Sequence, residues 1–89
     1  MNTSSAEFAQ QRLQAFTDRL AIVYEDLFRN DPEYFYSASK TTPSALAHKM
    51  ALGLDNGTAN KDGEGIRRTC KHLGIPHSYK AIRAYLQGK

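Results

Sequence analysis

The chain has 89 residues, a net charge of +3, and 40% hydrophobic against 24% charged residues, the balance of an ordinary globular domain and not of a disordered chain. At this length a single domain spanning residues 1–89 is expected, with a thin core that buries roughly 60–65% of the unfolded surface. No apolar run reaches the roughly 20 residues of a membrane span, and the lone cysteine, Cys70, excludes an intramolecular disulfide framework.

Residues 1–20 show no charged start followed by an apolar block, so the expectation is a cytoplasmic protein without membrane contact. The charge is unevenly spread. Residues 1–40 hold four basic and six acidic side chains, whereas residues 41–89 hold eight basic and three acidic ones. A slightly acidic half is thus joined to a basic half, and the basic half favours an anionic partner, either nucleic acid or an acidic protein surface.

Residues 1–5 carry no pattern and are expected to fray. Ser5 is positioned to cap a helix opening at Ala6, along which Phe8, Leu13, Phe16, Leu20, Val23, Tyr24, Leu27 and Phe28 recur at helical spacing. So wide a stripe must be covered, by the remaining helices or by a second copy of itself, which makes this helix the candidate homodimer contact. Asn30-Asp31-Pro32 ends it, and Asp31 with Pro32 starts a short helix over Glu33 to Ala38. Tyr34, Phe35 and Tyr36 cannot all face one side of that helix, so at least one covers the helix junction, lines a groove or meets a partner.

Thr42-Pro43 repeats the start signal for a helix whose buried stripe is Leu46, Met50 and Leu54, with Ala47 and Ala51 permitting close approach and Asn56-Gly57 as terminator. Residues 55–65 are the longest polar segment and the natural flexible loop. Asn60, Asp62, Glu64 and Gly65 fall at positions one, three, five and six of a calcium loop, but Lys71 stands where a bidentate carboxylate is required, so a calcium site is rejected. A phosphate cradle at Gly63 and Gly65 is disfavoured by Glu64 between them and by the lack of a following Lys-Ser/Thr.

The closing stretch reads as two short amphipathic helices. Ile66, Cys70 and Leu73 mark the first, Gly74-Ile75-Pro76 stops it, Ser78 caps the second, and Ile82 and Leu86 mark its buried side. This order resembles a DNA-binding helix-turn-helix, with Pro76 and His77 lengthening the turn. The resemblance implies that Ser78, Tyr79, Lys80 and Arg83 meet base edges and phosphates while Arg67, Arg68 and Lys71 grip the backbone nearby. The portion from Thr41 to Leu86 is also similar to small uncharacterised proteins of bacteria and their phages, through the Gly-Thr-Ala-Asn-Lys-Asp-Gly-Glu-Gly loop and the Leu-Gly-Ile and Tyr-Lys-Ala-Ile segments. That resemblance carries no activity; it implies a regulatory or host-interfering role as the alternative, by binding and inhibiting a protein assembly.

Catalysis finds no foothold. His48, His72 and His77 with Cys70 match no zinc spacing, and Cys70 falls on the apolar seam, where it acts as a small hydrophobe. The expectation is an all-α domain of four to five helices, its long first helix packed on the helix-turn-helix-like unit, acting by binding and requiring neither metal nor cofactor.

Overall fold

The computed structural model describes residues 5–31 and 41–89, the side chain of Ser5 excepted. Among the described residues every regular element is a helix: α1 (Ser5–Asn30), α2 (Pro43–Asn56), α3 (Glu64–Leu73) and α4 (Tyr79–Leu86). The short helix expected over Glu33 to Ala38, with Tyr34, Phe35 and Tyr36, lies outside the described residues.

The 26 residues of α1 give it a length of roughly 39 Å, and α2, α3 and α4 all pack along it. The helix takes in Ser5, the expected cap, as its first residue, one position earlier than the expected opening at Ala6. The inward face is the middle of the expected stripe: Phe16, Leu20, Val23, Tyr24 and Leu27 are buried, while Phe8 and Phe28 at the two ends are 37% and 44% exposed. Each fully buried aliphatic or aromatic side chain here contributes on the order of 1.5–3 kcal/mol. Because the other three helices cover this stripe, it does not depend on a second copy of the chain for its burial.

Local chemistry sets the boundaries of α2. Thr42 accepts a hydrogen bond from the Ala45 N–H at 3.1 Å, Pro43 occupies the first turn, and Gly57 ends the helix in the left-handed region at φ 85°. Ala47 and Ala51 are fully buried and bring α2 against α1.

Gly63 precedes α3 without a side-chain cap. The next glycine, Gly65, is where α3 touches α1: a Cβ there would lie inside the Tyr24 ring. Thr69, the buried polar residue one turn on, donates to the Gly65 carbonyl at 2.7 Å, so its hydroxyl costs nothing to bury. Gly74, at φ 68°, closes α3: its N–H reaches the Lys71 carbonyl at 3.3 Å and the Ile75 N–H reaches the Cys70 carbonyl at 2.9 Å, which is the Schellman arrangement.

Ser78 then caps α4, accepting from the Ala81 N–H at 3.1 Å. Ile82 and Leu86 are buried, and α4 rests on α1 and α2. Arg12 stands between two aromatic rings, 4.8 Å from the centre of Phe8 and 4.4 Å from that of Tyr85, a doubled cation–π contact that ties the last helix to the start of α1.

Candidate nucleic-acid interface

The interface is built outward from the segment between α2 and α3. Expected as a flexible loop, it is instead strapped to the start of α4. Asn56 Oδ1 accepts from the Thr58 N–H at 3.1 Å and its hydroxyl at 2.6 Å, and Asn60 Oδ1 accepts from the Asp62 N–H at 2.9 Å, two side chains that fold the strap on itself. Two residues of the following turn and helix then hold it. His77 Nε2 donates to the Lys61 carbonyl at 2.7 Å, which fixes a proton on that nitrogen. The Tyr79 hydroxyl donates to Asn60 Oδ1 and accepts from the Lys61 N–H, both at 3.3 Å. The Lys61 ammonium sits 5.3 Å from the centre of the Tyr79 ring.

Charge is distributed around this strap. Lys61 forms an ion pair with Asp62 at 2.9 Å. Its hydrogen bond and charge, with smaller contributions from His77 and Arg67, hold the Asp62 carboxyl below the usual carboxylate range. The charge of Lys61 is thus matched by a neighbouring carboxylate. Tyr79 also borders an open groove of about 450 Å³, lined with it by Lys80, Arg83, Ala84, Gln87 and Lys89. No acidic residue lines it. Lys80, Arg83 and Lys89 form no ion pair among the described residues. The Arg83 guanidinium lies against Gly57, at the carboxyl end of α2, where the helix dipole favours a cation and the last turn supplies none of its own.

The seven residues expected to contact nucleic acid thus fall into three groups. Tyr79, Lys80 and Arg83 are brought together in the groove. Ser78 and Tyr79 also have structural duties, as helix cap and as strut for the strap. On α3, Arg67 and Lys71 are both exposed and form no ion pair among the described residues. Arg68 is drawn to the protein's own carboxylates: Glu64 at 2.9 Å and Asp26 of α1 at 3.5 Å. It lines a separate groove of about 230 Å³ with Arg19, Ile22, Asp26 and His72. The expected aromatic contact through Tyr34, Phe35 and Tyr36 lies outside the described residues.

Sequence reasoning missed Lys89 and Gln87, which join the groove because the chain turns back after α4: the Lys89 N–H reaches the Ala84 carbonyl at 2.8 Å, and Gly88 takes a left-handed φ of 73°. It also missed Lys61, whose basic charge was visible but whose position over Tyr79 was not. Cys70 is 1% exposed and burial raises its thiol above the ordinary cysteine range, the opposite of what a nucleophile needs. Among the described residues no group of three His, Cys, Asp or Glu side chains is placed to hold a metal ion, and no helix is long and apolar enough to cross a membrane. Comparison with known families, curated proteins and solved structures finds no match to this chain.

Proposed function

We propose that this chain is a non-catalytic binding protein that engages nucleic acid through its basic C-terminal segment, chiefly α4 and the cations beside it. The observation that carries this reading is the groove of Tyr79, Lys80, Arg83 and Lys89, with three cationic and no acidic side chains. Such a surface releases counterions when phosphates dock, and that release supplies affinity before any sequence is read. Arg67 and Lys71 add exposed cations on α3.

The test is fluorescence anisotropy with a labelled oligonucleotide over a series of salt concentrations. Lys80→Ala with Arg83→Ala is expected to weaken binding and to lower the slope of log K against log salt by about one for each cation removed. Both side chains are exposed, and the loss of Arg83 from the end of α2 costs at most about 1 kcal/mol, so the double variant stays folded by circular dichroism. Absence of salt-sensitive binding by the wild type at low ionic strength refutes the reading.

A second reading draws on a different surface. Ile22 is 55% exposed and lies beside Arg19, Arg68 and His72 in the groove between α1 and α3. An exposed apolar residue with Arg19 beside it suits a protein partner that brings its own carboxylate, as a phage or mobile-element protein that inhibits a host assembly would require. Retention of a nuclease-resistant partner by the wild type, lost in Ile22→Asp, would favour it.

A further inference from the structure

We propose, resting on the nucleic-acid reading above, that the groove on α4 takes a single strand, with one base stacked on the ring of Tyr79 and the flanking phosphates held by Lys80, Arg83 and Lys89. A duplex reader of the helix-turn-helix kind leads with the first residues of its second helix. Here those residues are committed elsewhere. The Ser78 hydroxyl oxygen accepts from the Ala81 N–H, and Tyr79 is turned back on the strap, bonded to Asn60 and Lys61. The two helices also lack the mutual packing that fixes a recognition helix: α3 packs on α1, and α4 on α1 and α2, with little contact between α3 and α4.

What the first turn of α4 loses as a probe it gains as a platform. The Tyr79 ring is fixed by two hydrogen bonds through its hydroxyl and approached by the Lys61 ammonium. Tyr79 lines the groove and is 45% exposed, so part of its side chain is open to solvent there. A rigid aromatic surface beside a run of cations is the arrangement that binds unpaired bases with little regard to sequence. The eight residues of α4 span only about 12 Å, room for a short stretch of extended strand.

The experiment compares, on the full chain at low salt, labelled oligonucleotides with equal numbers of phosphates: a single-stranded DNA, a single-stranded RNA, a blunt duplex, and the DNA strand with abasic sites. Either intact single strand is expected to bind at least about tenfold more tightly than the duplex, and abasic sites to cost roughly 5- to 100-fold. Tyr79→Leu is expected to lose a similar factor on the intact strand, while Tyr79→Phe, which keeps the ring but loses the two hydrogen bonds that hold it, is expected to lose clearly less than Tyr79→Leu. Circular dichroism verifies that both variants fold, and the abasic comparison on wild type stands if either does not. Equal or tighter binding of the duplex, indifference to abasic sites, or indifference to Tyr79→Leu in a folded variant overturns the single-strand assignment while leaving nucleic-acid binding in place. Failure of all four oligonucleotides to bind overturns both.

Discussion

Between Gly65 and the ring of Tyr24 there is no room for a methyl group, so this glycine is set by packing and not by a turn: it lies inside α3 with helical neighbours on both sides. Two effects oppose each other in Gly65→Ala. Helix propensity favours alanine by up to about 1 kcal/mol, whereas forcing a side chain into a filled core costs typically about 1–3 kcal/mol. The ring of Tyr24 is 4% exposed and has nowhere to retreat, so overpacking wins. The variant is expected to be about 1–2 kcal/mol less stable in urea unfolding, with an unchanged m-value. None of this was legible from Gly65 alone, because Tyr24 stands 41 positions earlier and only the packing of α3 on α1 brings them together. Cys70, by contrast, was legible: its place in the Ile66, Cys70, Leu73 spacing marks a buried position, and the structure buries it.

At the scale of elements, the boundaries were legible wherever neighbouring residues decide them. Thr42-Pro43, Asn56-Gly57, Gly74-Ile75-Pro76 and Ser78 act through contacts within a few positions, and the structure places a cap or a terminator at each. What the elements do to one another's charges was not legible. Arg68 reads as a phosphate ligand on α3 but is held by Asp26 on α1, 42 positions away. Both partners are half-exposed, so the pair itself contributes little stability. Asp26→Asn is therefore expected to change the unfolding free energy by no more than about 0.5 kcal/mol. It frees Arg68 from one carboxylate, but Arg68 keeps its bond to Glu64 and lines a groove separate from that of α4, so affinity for a single strand should stay within about threefold of wild type. A rise well beyond threefold would bring Arg68 into the bound surface.

Over the whole molecule, the acidic-to-basic asymmetry of the two halves becomes a division of surfaces. α1 supplies the core stripe and the Asp26 carboxylate that engages Arg68, while the cations of the groove, which form no ion pair among the described residues, sit on α4 and the turn after it. The excess charge was countable in the sequence. Its concentration in one groove was not, because that depends on the reversal at Gly88 and on the seating of Arg83 against the end of α2. Gly88 is itself confined, since a Cβ there would meet Phe8 and Ala9 of α1, so the last residues are fastened to the first helix and Lys89 is carried to the groove.

The strap has one more consequence, for proteolysis. By composition the Lys61–Asp62 peptide bond sits in the most polar stretch of the chain, where trypsin would be expected to cut early. A protease must draw the backbone into an extended form, and both main-chain groups of Lys61 are already engaged, the N–H by Tyr79 and the carbonyl by His77, while its ammonium is paired with Asp62. Limited digestion followed by mass spectrometry should therefore find this bond intact in the native chain and cleaved in His77→Ala. Early cleavage in the native chain would mean that the strap opens readily and that Tyr79 has no fixed footing.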